Sequence, residues 1–374
     1  MADYSIPATI RNPGRSDYAP PPSSSLTVSV LDPLGDARWN DLVNTHPLAS
    51  IFHTPEWLEA LRRTYGYEPF AVSTSPADSP LSNGVVLCRV RSWISGTRLV
   101  SLPFSDHCDP LVDHADDLET LLQFLHQQVA HGACKYLEMR PLRRFHSFTL
   151  LSRKSHNNEQ FCFHYLDLRD SIDELRRNLH PSCVQRKIRR AGRESLVYQE
   201  GQSEELLAIF YTLLLRTRRR HGLPPQPLTW FRTLCECLGN RLKIRVASKG
   251  GRPIASMITL AFRDTMIYKY GSSDAEFHNL GGMSFLMWRA IQDAKGSGLT
   301  RFDLGRSDRA NISLIAFKER WGSSKSLLPY YVFPSGAHTS TQPTWERWLV
   351  QKACSALPDS LLAPLGATLY KHVG

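Results

Sequence analysis

The stretch Tyr268–Gly322 decides the fold of this chain; it reads YKYGSSDAEFHNLGGMSFLMWRAIQDAKGSGLTRFDLGRSDRANISLIAFKERWG. Its pattern predicts a strand, a polar loop, a helix, a second strand, a loop and a short helix. Apolar residues recur at alternating spacings of three and four from 283 to 294, which is typical of one buried helix face. Glycines at 281 and 282 precede that helix, and glycines at 296 and 298 end it.

The second strand of this stretch ends in Phe302-Asp303-Leu304-Gly305. In open α/β sheets, ligands bind beyond the carboxyl ends of strands and beside helix N-termini. Two polar loops therefore meet at one edge of the sheet, and Lys318 follows on a short amphipathic helix. The sequence predicts a ligand-binding hollow at this edge.

The residues before this stretch predict an antiparallel meander. Leu242–Ala247 and Ile254–Ala261 have strand composition, and Lys249-Gly250-Gly251-Arg252 between them is a strong hairpin signal. Met266–Tyr270 follows after a tight turn. A meander, then a helix, then a parallel strand predicts a mixed α/β fold with mostly antiparallel sheets.

The rest of the chain divides by composition. Residues 1–25 are rich in Pro and Ser, which predicts a flexible tail. A mixed α/β unit begins with a short strand at Leu26 and extends to residue 165. It contains a helix over Phe52–Tyr65, with Thr54 as N-cap. Residues 334–374 form an amphipathic C-terminal tail, which either packs on the body or lies on a membrane surface.

The stretch resembles the C-terminal half of the FemAB-like branch of the GNAT acyltransferase superfamily. The resemblance is carried by Tyr270-Gly271-Ser272, the helix from Gly282, Phe302-Asp303-Leu304-Gly305, and Phe317-Lys318 followed by Trp321-Gly322. It covers residues 26–374 and is strongest from 165 to 325. It implies tandem GNAT-like domains, the first at 26–165 and the second, a BioF2-like acetyltransferase domain, at 166–333.

Members of that branch add amino acids from aminoacyl-tRNA to peptidoglycan precursors, and relatives belong to exopolysaccharide gene sets. The resemblance therefore implies an acyl- or aminoacyltransferase that acts on an amine of a cell-envelope precursor. Its co-substrate is aminoacyl-tRNA or acyl-CoA, with no permanently bound cofactor. Two alternatives stay open: an acetyl-CoA-dependent N-acetyltransferase of polysaccharide sugars, and a non-catalytic module that binds anionic envelope intermediates or RNA.

Acyl transfer to an amine needs a positioned donor carbonyl, a cation or hydrogen-bond donor for the oxyanion, and a group that takes the amine proton. Lys318 is the candidate cation, and Asp303 is the candidate for orienting the amine or taking its proton. The alternatives are a surface lysine in an ion pair and a carboxylate that caps the following loop.

The candidate donor-binding residues surround this pair: Gly281, Gly282, Met283, Ser284, Phe317 and Tyr270. Backbone N–H groups in a glycine turn suit a phosphate or carbonyl oxygen, and the resemblance implies that Phe317 lies near the donor. The turn departs from the usual acyl-CoA loop, because His278 stands where Gln or Arg is expected. This departure favours aminoacyl-tRNA or another unusual donor over acyl-CoA, and it is also compatible with an inactive descendant of the family.

A basic segment lies in the second half, with seven basic and no acidic residues between Leu175 and Arg193. Arg186, Arg189 and Arg190 share a helical flank and are candidate acceptor- or phosphate-binding residues, because guanidinium groups bind phosphate oxygens in pairs. The alternative is a solvated helix face.

The loop Ser101–His114, SLPFSDHCDPLVDH, concentrates Asp, His and Cys. Its spacing matches no zinc motif, so we predict a polar loop and no metal site. The resemblance implies that the Pro-Phe-Ser-Asp part faces the cleft, which makes Ser105 and Asp106 candidate acceptor-binding residues.

Bulk features bound the function further. The net charge of +10 favours an anionic partner such as tRNA, a nucleotide-linked precursor or a membrane surface, although a mildly basic soluble protein explains it too. Eight scattered cysteines and the lack of an apolar leader predict reduced thiols and a cytoplasmic protein, with possible membrane contact through the C-terminal tail. The chain contains no serine-hydrolase, P-loop or dinucleotide-binding motif.

Overall fold

The computed structural model describes residues 28–93, 96–145, 158–334, 354 and 357–373. Within these ranges the strands are β1 Ser29–Leu31, β2 Glu68–Ser73, β3 Val85–Ser92, β4 Gly96–Ser101, β5 Leu137–Met139, β6 Asn158–Asp167, β7 Val197–Gly201, β8 Leu242–Lys249, β9 Arg252–Phe262, β10 Thr265–Ser273, β11 Arg301–Asp308 and β12 Ser324–Phe333. The helices are α1 Ala37–Thr45, α2 Pro55–Tyr65, α3 Ala115–Ala130, α4 Ile172–Asn178, α5 Arg186–Arg193, α6 Glu204–Arg220, α7 Leu228–Leu238, α8 Gly282–Gly296, α9 Ile312–Glu319 and α10 Asp359–Val373. Short 3₁₀ or π turns cover Ile51–His53, Pro181–Gln185, Gly239–Arg241 and Ala275–Leu280.

All these strands join one mixed sheet, in the order β1-β2-β3-β4-β5-β12-β6-β11-β10-β9-β8-β7. The two halves of the chain repeat one topology. In the first, β1 to β4 form an antiparallel meander, α3 follows, and β5 pairs parallel to β4. In the second, β7 to β10 form the meander, α8 follows, and β11 pairs parallel to β10. The predicted mixed α/β fold with mostly antiparallel pairing is confirmed.

The last strand of each half pairs with the other half. β6 follows β5 in the chain but lies between β11 and β12, and β12 follows β11 but pairs with β5 and β6. The sheet therefore runs without interruption from one half to the other. The predicted domain boundary at residue 165 falls inside β6.

Local signals in the sequence specify most element ends. The Thr54 hydroxyl accepts the backbone N–H of Trp57 at the start of α2, as the N-cap pattern predicts. The β8–β9 hairpin turns at Gly250 and Gly251, which have φ of 54° and 78°, values that favour glycine.

Two elements are not foreseen by the sequence pattern. Neither helix α1 nor strand β12 was predicted from the sequence. Pro329 fits inside β12 because the ladder to β6 shifts register between Leu328 and Tyr330, and proline within sheets occupies such irregular positions.

Both halves share apolar cores. Trp57 of α2 packs edge-on against Trp230 of α7, with ring centroids 5.4 Å apart, and both side chains are fully buried. The core beneath β3, β4 and α3 in the first half includes Tyr331 and Phe333 of β12. Side chains from the last strand of the second half thus complete the core of the first half.

Helix α10 packs on the body of the protein. The Tyr67 hydroxyl donates to the carbonyl of Tyr370 over 2.8 Å, and Arg98 donates to the carbonyl of His372 over 2.8 Å. At Gly366, a Cβ would collide with the carbonyl of Pro225. Within its described part, the C-terminal tail therefore takes the packed alternative; the predicted N-terminal tail, 1–25, lies outside the described residues.

We expect the first half to depend on β12 for its fold. A fragment of residues 28–145 should show no cooperative unfolding transition by near-ultraviolet circular dichroism, because it lacks Tyr331 and Phe333, each worth about 1.5–3 kcal/mol of burial, and leaves the β5 edge unpaired. The two parts of a chain divided between residues 150 and 151, when co-expressed, should purify together. A monomeric 28–145 fragment that unfolds cooperatively would contradict this expectation.

Candidate active site

Strands β10 and β11 separate in the middle of the second half. Their parallel pairing ends at Ile267 and Asp303, although both strands continue for several residues. Irregularities lie at the same level, between Tyr268 and Tyr270 on β10 and between Asp303 and Gly305 on β11. The separation opens a cavity of about 260 Å³, called here the wedge cavity, which is lined by Asp106, Leu214, Thr217, Arg218, Tyr268, Lys269, Tyr270, Gly271, Leu304, Gly305, Arg306, Leu314 and Lys318.

Lys318 reaches this cavity from α9 with only 3 % of its surface exposed. Its Nζ donates to the carbonyl oxygens of Gly305 and Arg306, over 2.9 and 2.8 Å. An ammonium group has three N–H donors, so one remains for a ligand. Burial lowers the pKa of Lys318 to about 8, although the negative charges of Asp106 and Asp303 partly oppose that shift.

Asp106 enters the wedge cavity from the loop between β4 and α3, in the first half. Its carboxylate accepts a hydrogen bond from the Lys269 ammonium over 3.2 Å. Burial disfavours the charged carboxylate, but the positive charges of Lys269, Arg306 and Lys318 outweigh burial and hold the pKa of Asp106 below its ordinary value. Gly305 has φ of 71°, and a Cβ there would lie 2.8 Å from an Asp106 oxygen, so glycine is required for this approach.

Two side chains anchor that loop to the sheet. Buried Arg140 donates to the carbonyl of Leu102 over 2.7 Å and to the carboxylate of Glu138 over 2.7 Å. The Tyr330 hydroxyl of β12 donates to the carbonyl of Asp106 over 2.8 Å. Ser105 is a predicted acceptor-binding residue, but its hydroxyl donates to the carbonyl of Leu102 and so closes a turn. It lines neither the wedge cavity nor the second cavity of this site.

A second cavity, called here the side cavity, has a volume of about 520 Å³. It is lined by Pro47, Leu48, Ala49, Ser50, Ile51, His107, Asp109, Leu142, Arg143, Phe163, Tyr165, Asp167, Arg169, Phe262, Asp264, Thr265, Ile267, Thr300, Arg301 and Asp303. Asp303 accepts the Gly305 N–H over 2.6 Å and lies 3.0 Å from Nε2 of His107. Lys318 and Asp303, expected on one hollow, therefore line different cavities.

The predicted glycine turn lies beside α5. Gly281 has φ of 80°, and a Cβ there would lie 2.6 Å from the carbonyl oxygen of Lys187. A Cβ on Gly282 would lie 3.1 Å from that of Ala255. Close packing thus requires both glycines, and the turn lines neither cavity.

The other predicted donor-binding residues differ in position. Tyr270 lines the wedge cavity, where its hydroxyl accepts the indole N–H of Trp230 over 2.9 Å. Ser284 is buried in α8, and Phe317 packs in the apolar cluster beneath α8 with Met283. None of these last three lines either cavity.

The basic segment forms a positively charged surface. Arg186, Arg189 and Arg193 line a shallow groove of about 610 Å³ on α5, whereas Arg190 pairs with Glu194 over 3.5 Å. The same surface continues toward α6 and the short turn Ala275–Leu280. Burial, followed by the charges of Arg220 and Lys187, lowers the pKa of His278 on that turn.

The Asp, His and Cys residues of the loop 101–114 have separate partners. Cys108 Sγ lies 3.3 Å from Nε2 of His53, which also contacts the carbonyl of Asp109 over 2.8 Å. The Asp109 carboxylate accepts the backbone N–H of Leu142 over 2.8 Å. Among the described residues no group of three or more His, Cys, Asp or Glu side chains is arranged to hold a metal ion.

His107 is the residue of this site whose role the sequence does not assign. It appears in the sequence only as one member of a group of metal-ligand types. A histidine next to Asp106, in a loop expected to face the cleft, was the available signal. Its pairing with Asp303, 196 residues away, depends on the tertiary structure.

Comparison with known proteins agrees with this geometry. Residues 182–319 match the family described as an acetyltransferase (GNAT) domain. The chain is 25 % identical over 149 residues to the UDP-N-acetylmuramoylpentapeptide-lysine N(6)-alanyltransferase of Weissella viridescens. That alignment covers 38 % of this chain and 43 % of the relative, so the matched region spans less than half of the relative's length.

Solved structures share the fold at low sequence identity. FemX superposes with a TM-score of 0.64 and 14 % identity, covering 84 % of this chain and 98 % of FemX. A tandem GNAT protein from the clavulanic acid biosynthesis pathway gives a TM-score of 0.52 and 13 % identity, covering 82 % of this chain and 98 % of that protein. The C-terminal domain of a putative lysylphosphatidylglycerol synthetase from Agrobacterium fabrum gives 0.50 and 15 %, covering 79 % and 90 %.

The repeated strand order and the separated strands β10 and β11, together with these matches, define a protein of the tandem GNAT fold. The match of residues 182–319 to a GNAT domain and the similarity to the alanyltransferase support the resemblance to the FemAB-like branch that the sequence predicts. In the described parts of the chain, no helix combines the length and apolar character that crossing a bilayer requires.

The buried ammonium of Lys318 predicts a specific pH dependence of stability. Its pKa is about 8 in the folded protein, against 10.5 ordinarily. Between these values the unfolded chain holds more protons, so the free energy of unfolding rises with pH. From pH 7.5 to 10, the free energy of unfolding of the wild type should rise about 2 kcal/mol more than that of Lys318→Met, measured by urea titration. Parallel pH curves for the two proteins would contradict a lowered pKa of Lys318 in the folded protein.

Proposed function

We propose that this protein is an aminoacyltransferase, which moves an aminoacyl group from aminoacyl-tRNA to an amine of a peptidoglycan precursor. The observation that carries the proposal is the Lys318 ammonium in the wedge cavity, held by two carbonyls with one N–H donor left over. The similarity to a lysine N(6)-alanyltransferase supports the choice of transferred group and acceptor.

The wedge cavity suits the carbonyl of the donor. Lys318, Lys269, Arg218 and Arg306 line it, with Asp106 as the acidic residue in the same lining. Excess positive charge in a buried, low-dielectric site stabilises the negative charge that develops on the carbonyl oxygen during attack by an amine. Because carbonyls hold Lys318 in place, its charge needs little reorganisation as that oxyanion forms.

The surface beside the wedge cavity suits an RNA donor. Arg218 lines the wedge cavity at the end of α6, and the positive surface continues through Lys187 to the groove formed by Arg186 and Arg189. Guanidinium groups spaced along one face bind successive phosphates. These features favour a polyanionic donor. Because aminoacyl-tRNA and the precursor are both cytoplasmic, we expect the proposed reaction to occur in the cytoplasm.

Replacement of Lys318 should slow transfer without loss of donor binding. We expect Lys318→Met to lower kcat about 10²–10³-fold, the usual cost of losing one oxyanion donor. The assay measures radiolabelled alanine passing from alanyl-tRNA to the lysyl pentapeptide precursor linked to uridine diphosphate. Lys325→Met is the matched control, because Lys325 is an exposed lysine on neighbouring β12 that pairs with Glu319.

Unchanged turnover in Lys318→Met would remove the catalytic role of this lysine. The acyl-CoA alternative is tested with acetyl-CoA as the donor. A measurable heat of binding with acetyl-CoA, together with acetyl transfer in the absence of tRNA, would support that alternative in place of the aminoacyl proposal. Salt-dependent RNA binding with no transfer from any charged tRNA would favour the non-catalytic module.

The groove on α5 should contribute phosphate contacts. We expect the triple variant Arg186→Gln, Arg189→Gln, Arg193→Gln to weaken tRNA binding and to reduce the slope of log K against log salt by about 2. The measurement is fluorescence anisotropy of labelled tRNA at several salt concentrations. The control is a triple variant that removes the charges of three arginines in ion pairs elsewhere, namely Arg62, Arg63 and Arg232. Equal slopes of log K against log salt for the two triple variants would exclude the groove as the RNA site.

A further inference from the structure

The side cavity adjoins the wedge cavity and has no part in the reaction as described so far. Asp106 lines the wedge cavity, and the next residue, His107, lines the side cavity. Asp303 and Leu304 of β11 divide between the side cavity and the wedge cavity in the same way, so the two cavities border one another along the loop and along β11. We propose that the side cavity admits the acceptor amine and that His107 is the general base that takes its proton. This inference rests on the proposed function.

The hydrogen bonds of this pair show which group is available as a base. Asp303 is 2 % exposed; one of its oxygens accepts the Gly305 N–H, and the other lies 3.0 Å from Nε2 of His107. Both carboxylate oxygens are therefore occupied. Nδ1 of His107 has no hydrogen bond to any residue within the described ranges. With Nε2–H donating to Asp303, Nδ1 carries the lone pair that faces a ligand.

Aromatic packing holds the imidazole in one orientation. The ring meets Phe52 edge-on at 5.6 Å and Phe163 edge-on at 5.3 Å. The contact between Nε2 and the Asp303 carboxylate restrains the ring further, so the ring has little freedom to rotate. A base held in this way needs no ordering during the reaction. His107 is the catalytic residue of this proposal, and Asp303 is its positioning residue.

The charges around His107 favour its protonated form. Asp303 faces it from β11, Asp106 and Asp109 lie on its own loop, and His53 faces it from the turn Ile51–His53. Burial acts to lower the pKa of His107, but the hydrogen bond and charge of Asp303, with the two other carboxylates, outweigh burial and raise it above 6.5. The raised pKa makes His107 a stronger proton acceptor than an ordinary imidazole.

The lining of the side cavity fits an amine that lies close to an acidic group. Asp167 and Asp264 provide carboxylates for an ammonium, and Arg143 and Arg301 provide partners for a carboxylate or phosphate. A volume of about 520 Å³ lies within the range of ordinary small-ligand sites. The chemical class is a diamino-acid residue of a peptide, with a free side-chain amine and a neighbouring acidic group.

The step balances as an aminolysis. The acceptor ammonium first releases one proton to solvent, and the resulting amine attacks the carbonyl carbon of the aminoacyl ester. A C–N bond forms, and His107 takes the second proton from the attacking nitrogen. The C–O bond to the ribose then breaks, and the same proton passes, directly or through water, to the leaving ribose oxygen. The products are an amide and a free ribose hydroxyl.

Kinetics with matched variants test the proposal. We expect His107→Gln to lower kcat about 10²–10⁴-fold, with the KM for alanyl-tRNA unchanged within about threefold. It should also remove the ionisation of His107 from the acid limb of the pH–rate profile, so that only the ionisation of the acceptor ammonium remains. Asp303→Asn should move that limb to lower pH, because it removes the charge that raises the pKa of His107. His46→Gln should behave as wild type; His46 is a buried histidine beside a carboxylate, Asp113, and lines neither cavity.

Histidine NMR gives a readout that does not depend on turnover. The ring signal of His107, assigned by its loss in His107→Gln, should titrate above pH 6.5 in the wild type and lower in Asp303→Asn. It should shift when the lysyl pentapeptide precursor binds, and this holds even if the donor proves to be acyl-CoA. An unchanged acid limb in His107→Gln, or no shift of the His107 signal at a saturating concentration of precursor, would overturn the proposal. If His107→Gln does not fold, the shift of the same signal in Asp303→Asn assigns it and keeps the test decisive.

Discussion

The structure depends on the contact between Asp303-Leu304-Gly305 of β11 and the loop from Leu102 to Asp109. β11 belongs to the second half of the chain, and the loop belongs to the first. The Asp303 carboxylate pairs with His107. Gly305 has no side chain to block the approach of the Asp106 carboxylate, and its carbonyl accepts a hydrogen bond from Lys318. Two residues of one strand, Asp303 and Gly305, therefore connect the charged groups that line both cavities.

The exchange of terminal strands makes that contact stable. β6 and β12 each pair across the boundary between the halves, so the two units cannot rotate freely about a linker. The loop is held from both sides of the boundary, by Arg140 directly after β5 and by Tyr330 of β12. A site assembled from two halves is accurate only when their relative position is constrained in this way.

Buried charge is balanced within this site. Lys318, Lys269 and Arg306 surround Asp106, and Asp303 is matched by His107. Transfer of unpaired charges from water into an interior costs several kcal/mol each, so each group here needs a partner. The balance leaves the wedge cavity positive, with one unused donor on Lys318, while the side cavity carries acids and arginines together. The two cavities thus suit different reactants: an oxyanion or phosphate in the first, and an amine beside an acid in the second.

The sequence by itself determined the local elements and the identity of the fold. The 3.6-residue period of α8, the cap at Thr54 and the Gly250-Gly251 turn are short-range signals, because their causes lie within a few residues. The Phe317-Lys318 and Phe302–Gly305 segments carried the resemblance to the FemAB-like branch, and they predicted a role for Lys318. Only the tertiary structure decided that Asp303 serves His107 rather than sharing a hollow with Lys318, that Ser105 closes a turn, and that packing against Lys187 and Ala255 accounts for Gly281 and Gly282. These outcomes depend on contacts between residues far apart in the chain, set by strand exchange and by a register shift at β11, and no local periodicity in a sequence records such contacts.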